Sequence, residues 1–315
     1  VYTAVVINVL WKPIRMNVEI SRINKKSEEK ATQVRESGTA ITEEEMHELS
    51  KEFPYYGYID IEIDGAEPFV MLSNNDDVVA RNYLWAGRNA YEKTSLKLWV
   101  ALAKKSPTVL DVGSYTGVFS LAAAKSNRTA KVLAFEALDR VYYRLILNKQ
   151  VNAAGNLHVF NRAVSDTQGK LEFNVYSGDT VLVTGSSLIE KNIDRPVYEK
   201  KTVATICLDE FIAELGMSRV GLIKIDAEGA EHLVLKGAKH IIEASKPDIL
   251  VELLKDAQLQ NIESMLAPLG YKYYQLNDAT GEIKQVDSLI ASTTMYDLNT
   301  LISCKTLQQL EDLLK

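Results

Sequence analysis

The chain has 315 residues, 46% of them hydrophobic and 25% charged, a balance that suits an ordinary globular fold of one large domain or one domain with an appendage. A net charge of −6 gives no long-range pull toward nucleic acid or an anionic membrane, and no apolar run approaches the roughly 20 residues that span a bilayer. Two cysteines without close spacing, Cys207 and Cys304, and four scattered histidines exclude a disulfide framework and a zinc motif.

Residues 1–10 are apolar and β-branched but lack the basic start and small-residue cleavage site of a secretory signal, so a first strand is expected there. With the cysteine usage, this points to a reducing cytoplasm. A charged stretch at 22–36 reads as solvated or helical. Thr42 followed by Glu45 forms a capping box that opens a short helix to about Glu52. Residues 58–64 alternate strictly, with Ile59, Ile61 and Ile63 on one face and Asp60, Glu62 and Asp64 on the other, which predicts a half-buried strand. The Asp64-Gly65 turn then leads to a hairpin partner at 69–72, and a helix at 92–104 leads to Pro107.

From Thr108 strands and helices alternate. Strands are expected at 108–112, 131–136, 157–161, 221–226 and 248–252, and helices at 117–126, 139–153, 206–215, 229–243 and 257–268. A longer, partly extended excursion fills 171–205. The tail adds strand-like pieces at 272–275 and 301–304 and a last amphipathic helix. Such βα alternation predicts an α/β fold: a Rossmann-like, doubly wound, mostly parallel sheet with helices on both faces, plus an N-terminal α+β extension. The domain reading is an extension at 1–57 (lid, dimerisation arm or docking element), a hairpin and lead-in helix at 58–105, and the main domain at 106–315.

Two segments carry the chemistry. Val109-Leu-Asp-Val-Gly-Ser-Tyr-Thr-Gly117 reads as a buried strand running into a glycine-spaced turn and an apolar helix. Gly113 and Gly117 suit a backbone that passes close to a ligand, or equally a tight turn with close helix packing. The spacing is neither Gly-x-Gly-x-x-Gly nor a phosphate loop, which argues against NAD and ATP. Asp111 at the strand end can accept from an ammonium group or order the loop amides. Glu136 closes the next strand, where an acidic residue commonly accepts from ribose hydroxyls; a solvent-exposed strand end is the plainer alternative. Turn and acid together imply a nucleoside ligand without a critical pyrophosphate. The second segment, Ile223-Lys-Ile-Asp-Ala-Glu-Gly-Ala-Glu231, is a buried strand ending in Asp226, Glu228 and Glu231.

Asp-Val-Gly-x-x-x-Gly, then Phe135-Glu136, then Asn148 and Asn152, resembles the class I S-adenosylmethionine-dependent methyltransferases. Ala163-Val-Ser-Asp166 with Gly169, the Ser186-Ser187-Leu188 segment, Leu208-Asp-Glu-Phe211, the Ile223–Glu231 motif with Leu235-Lys-Gly237, and Tyr91-Glu92 are similar to the FkbM family within that class. The resemblance covers about 70–305. Ser114-Tyr115-Thr116 and Ala137-Leu138 depart from the family pattern beside the cofactor. The resemblance implies S-adenosylmethionine as cofactor, with Asp111, Gly113, Ser114 and Gly117 around the methionine moiety, Glu136 at the ribose, 161–163 including Ala163 flanking the adenine, and Glu92 above the cofactor. It implies O-methylation of a hydroxyl on a small natural product such as a sugar or polyketide.

An alcohol acceptor needs a base or a metal to become nucleophilic. Asp226 and Glu252 end neighbouring strands, so they are expected to face each other across the acceptor site, as a base with its partner or as two oxygen ligands for a divalent ion such as Mg²⁺. Glu228 and Glu231 are further catalytic candidates, although carboxylates are also favoured in a helix's first turn by its dipole. Lys224 is expected to face away from Ile223 and Ile225 and to pair with Asp226 or Glu228, or to reach solvent. A Rossmann-type oxidoreductase and a non-catalytic scaffold are the competing readings. Homo-oligomerisation is left open.

Overall fold

The computed structural model describes residues 2–176, 182, 186–189 and 197–315, with residues 2–16 described as backbone alone. The chain divides into two compact units, Val1–Glu62 with Val70–Tyr91, and Ile63–Phe69 with Glu92–Lys315. This division differs from boundaries at 57 and 105.

The smaller unit holds helices α1 (Tyr2–Glu36) and α2 (Glu43–Glu52), the paired strands β1 (Tyr56–Ile61) and β2 (Phe69–Asn74), and helix α3 (Val78–Ala86). Residues 1–10, expected as a strand, lie in α1 instead. Helix nucleation is the costly step, so a helix already formed by the good formers of 19–36 extends through β-branched residues at little further cost. The capping box is present: Thr42 Oγ1 accepts from Glu45 N at 3.2 Å and Glu45 Oε2 from Thr42 N at 2.7 Å. Ile59, Ile61 and Ile63 are all buried while Asp60 and Glu62 are exposed, as the alternation requires. Helix α3 was not anticipated; its N-cap is Asp77, whose Oδ1 accepts from Ala80 N at 3.0 Å. Trp85, fully buried, donates from Nε1 to Ser50 Oγ at 2.8 Å.

The larger unit begins with α4 (Lys93–Ala103) and continues β3 (Thr108–Val112), α5 (Val118–Ser126), β4 (Lys131–Phe135), α6 (Asp139–Val151) and β5 (Leu157–Phe160). Then come β6 (Ala163–Val164), β7 (Gly169–Tyr176), β8 (Val197–Ile206), α7 (Leu208–Glu214), β9 (Leu222–Ile225), α8 (Glu231–Lys236), α9 (Lys239–Ser245) and β10 (Asp248–Glu252). The tail carries α10 (Leu259–Leu266), β11 (Lys272–Leu276), β12 (Ile283–Val286), β13 (Asn299–Ser303) and α11 (Leu307–Leu313). The main sheet runs β12-β11-β13-β10-β9-β3-β4-β5. Its β5, β4, β3, β9 and β10 pair in parallel, while β13 is antiparallel to both β10 and β11. β6, β8 and β7 form a separate small sheet, so the excursion is extended at both ends; residues 177–181, 183–185 and 190–196 of it lie outside the described residues.

The sheet is α/β, doubly wound and mostly parallel. Leu110, Val112, Ile223, Ile225, Ile249 and Val251 pack on one face against Ile212, Val234, Leu235, Ile241 and Ile262 of α7–α10. On the opposite face, Trp99 of α4 meets Phe119 of α5 edge to face, with ring centroids 5.6 Å apart. The helix expected over 229–243 is two short ones, because the Gly237 carbonyl between them accepts from Asp209 N at 2.9 Å. The chain runs β3, β4, β5 in one direction from the centre and β9, β10 in the other, so the switch point lies between β3 and β9, where open α/β sheets bind ligands at the strands' carboxyl ends. No helix among the described residues is long and apolar enough to cross a membrane.

Candidate active site

Asp111, next to last in β3, is 1% exposed and accepts from Ser120 Oγ of α5. Burial pushes its carboxyl up to about 6, against the pull of the Ser120 hydrogen bond and the Lys224 charge. The turn after it is bound to β4. Gly113 N and Ser114 N both donate to Phe135 O at 3.0 Å, and Ser114 Oγ donates to Asp111 O at 2.6 Å while accepting from Phe135 N at 3.0 Å. Ser114, expected at the cofactor, therefore spends its hydroxyl on the backbone. The two glycines are required by the protein's own packing. A Cβ on Gly113, at φ +75, would stand 1.8 Å from Asp226 O, and one on Gly117, at φ +103, would stand 2.2 Å from Leu145 Cδ1.

Glu136 follows β4 and is 9% exposed. Its Oε2 accepts from Tyr115 N at 3.1 Å and its Oε1 from Leu138 N at 2.8 Å. Burial pushes it up to about 7, opposed by these amide bonds. Asn161 Nδ2 fixes the same loop by donating to Glu136 O and Ala137 O, each at 3.0 Å. Ala163 lies in a small apolar cluster with Leu138 and Val141, against which Tyr115 and Ala137 pack.

Asp226 follows β9, its amide donating to Val112 O at 3.0 Å, and its side chain is half-buried. Glu252 ends β10, the next strand in the sheet, so the two strand ends are neighbours. Carboxylate oxygens of Asp226, Glu228 and Glu252 lie within 4.8 Å of one another. Burial, then the Asp226 and Glu228 charges and a hydrogen bond with Asp226, hold Glu252 well above the ordinary carboxylate range. Glu228 sits at φ +55 in the connecting loop.

Glu231 does not join them. Its Oε1 turns back to accept from Gly229 N at 2.9 Å and Ala227 N at 3.2 Å, and burial pushes it up to about 7. It shapes the loop that carries Glu228, because the amides of Ala227 and Gly229, in the loop before α8, need an acceptor. Ser187 supports the same loop, with Oγ donating to Ala227 O at 3.3 Å.

Three further residues of this edge carry roles that no local sequence signal assigns. Lys224 is buried on β9, its Nζ 3.3 Å from Asp226 Oδ2 and 4.8 Å from the Phe119 ring centroid. Burial opposes its charge, but Asp226, Glu92, Glu252 and Asp111 outweigh it and raise its pKa above the ordinary lysine value. Asn299, at the start of β13 and in register with Glu252, donates from Nδ2 to Glu92 Oε2 at 2.7 Å. Asp278, beyond β11, accepts from Thr94 N at 2.7 Å, Ser95 N at 2.8 Å and Ser95 Oγ at 2.9 Å, which anchors the start of α4 and hence Glu92. The Asn299 and Asp278 partners lie 207 and 184 positions away in sequence, so no local pattern marks them.

The pattern of the Methyltransferase FkbM domain matches residues 111–273, over half of the chain. The chain is 31% identical over 175 residues to the AMB antimetabolite synthetase AmbE of Pseudomonas aeruginosa, covering 46% of this chain and 8% of that protein. It is 26% identical over 158 residues to the 2-O-methyltransferase NoeI of Sinorhizobium fredii, covering 46% of this chain and 63% of that protein. The chain thus spans less than two thirds of either relative. Among solved structures it is similar to methyltransferase FkbM from Methylobacillus flagellatus, at 15% identity and a TM-score of 0.40, over 62% of this chain and 43% of that one.

Proposed function

The chain belongs to the FkbM methyltransferase family, and from that membership we propose that it is an S-adenosylmethionine-dependent O-methyltransferase whose acceptor is a hydroxyl of a small natural product or sugar. One observation carries this reading. At the switch point the buried carboxyls Asp111 and Glu136 lie at the carboxyl edge of neighbouring strands, and half-buried Asp226 follows the strand on the other side. The name of one relative, a 2-O-methyltransferase, supports the hydroxyl acceptor.

The donor set suits the cofactor. A carboxylate oxygen has two lone-pair sites, so each Glu136 oxygen that accepts one amide keeps one for a ribose hydroxyl. Ala163, Leu138 and Val141 offer an apolar wall for a purine, and Asp111 a carboxylate for an ammonium group. Gly113, Ser114, Tyr115 and Gly117 all spend their amides within the protein, which fits a ligand without pyrophosphate.

When bound, the cofactor supplies an electrophilic methyl on a sulfonium sulfur. The chain's share is to orient the acceptor for in-line approach and to take its proton. Asp226 takes that proton, with Glu252 hydrogen-bonded beside it. A divalent ion such as Mg²⁺ held by Asp226 and Glu252 is the other way to activate an alcohol.

Calorimetry of S-adenosylmethionine against the purified chain tests the reading, with NAD as control. The wild type binds the cofactor and ignores NAD, and Glu136→Ala weakens binding about tenfold or more, the worth of one or two hydrogen bonds to a charged group. No binding, or binding of NAD instead, removes the methyltransferase reading. A binding result then justifies a screen of hydroxylated sugars and polyketide-like acceptors.

A further inference from the structure

Lys224 is a charged side chain at 2% exposure in the middle of a parallel sheet, where lysine is almost never found unless paired. Ile223 and Ile225 on either side enter the apolar cluster beneath the sheet, so strand alternation sends Lys224 to the α5 face. There its Nζ stands 3.3 Å from Asp226 Oδ2 and 4.8 Å from the Phe119 ring centroid. The ring is itself fixed: Trp99 packs on it edge to face and donates from Nε1 to Phe119 O at 2.9 Å. The ammonium is thus held by a cation–π contact on one side and a carboxylate on the other. Asp226, Glu92, Glu252 and Asp111 all act on it.

The spacing of Asp226, Glu228 and Glu252, within 4.8 Å, is one a divalent cation could bridge with carboxylate bonds of about 2.0–2.6 Å. A cation bound to Asp226 would stand beside the Lys224 ammonium and be repelled by it. We propose that Lys224 is the positioning residue of the transfer: its buried ammonium is the resident cation of the acidic pocket, orients Asp226 as the base, and makes the reaction independent of metal. This rests on the O-methyltransferase reading but is tested separately from it.

The test titrates Mn²⁺, followed by calorimetry and electron paramagnetic resonance, into the full chain and its variants. The wild type shows no stoichiometric Mn²⁺ site at sub-millimolar concentrations. Lys224→Met, which is one atom shorter, unbranched and uncharged, gains a Mn²⁺ site at least about tenfold tighter. Adding Asp226→Asn to Lys224→Met abolishes the gain. A purely structural lysine would lower the melting temperature when replaced and create no metal site. A wild-type Mn²⁺ site that Asp226→Asn removes overturns the proposal, as does a folded Lys224→Met that gains none. If Lys224→Met does not fold, the wild-type titration decides: no site supports the proposal, and a site lost in Asp226→Asn overturns it. Failure of the wild type to bind S-adenosylmethionine would instead strike the function proposed above and leave the metal result standing.

Discussion

Glu231 is 1% exposed and accepts the amides of Ala227 and Gly229, whereas Asp226 is half-buried against Lys224 at a strand end. The same functional group thus serves a loop in one place and the pocket in the other. Asp226→Asn should lower kcat by about 10²–10⁴, the usual loss with a general base, and also lower the melting temperature, because the buried Lys224 ammonium loses its charged partner. Glu231→Ala should lower the melting temperature with a much smaller loss of kcat, because one buried and one part-buried amide lose their acceptor. Comparing kinetics with thermal melts separates the two, and a Glu231→Ala variant of full stability would refute its loop role. Gly113 supplies a third case at this scale. A Cβ there meets Asp226 O at 1.8 Å on a backbone at φ +75, so Gly113→Ala should cost about 2–4 kcal/mol, read from urea unfolding. The type of residue at each of these positions is legible in sequence. Its use is not, because it depends on which way the side chain turns after folding.

Elements whose signals are local were legible, and those set by distant partners were not. β3 and β10 were read to their exact ends, since a parallel strand buried on both faces shows as a continuous apolar run bounded by polar turns. The capping box of α2 was equally plain, and Thr42→Ala should cost about 1 kcal/mol of stability, measured as a shift in the unfolding midpoint. Residues 1–10 signal a strand because β-branched residues favour strands in isolation, whereas residues 2–10 continue a long helix. The break between α8 and α9 escaped notice because it depends on Asp209, which donates to the Gly237 carbonyl from another element.

At the scale of the whole molecule, burial of carboxyls couples stability to pH. Asp111 rises from 3.8 to about 6, and Glu136 and Glu231 from 4.5 to about 7, each chiefly through burial. A carboxyl with a folded pKa above its unfolded value holds its proton more tightly when folded. Its contribution to stability is complete below the unfolded pKa and is lost as pH rises through the folded one. Asp166 and Asp297 are shifted downward, and they lose their contribution only as pH falls below the ordinary aspartate range. The cofactor-free chain should therefore be most stable near pH 4–4.5 and lose a few kcal/mol on the way to about pH 8. Thermal melts across that range check it, and a stability that rises steadily from pH 5 to pH 8 would contradict the burial of these groups.

The sequence alone determined the α/β alternation, the family and the carboxylates at the strand ends, because strand burial, turn chemistry and motif spacing are properties of short stretches of chain. Tertiary structure alone decided that Glu231 serves a loop, that Ser114 bonds to backbone, that Lys224 is the cation beside Asp226, and that Asn299 and Asp278 hold the approach to Glu92. These depend on burial and on hydrogen bonds between residues far apart in the chain, and neither has a local signature.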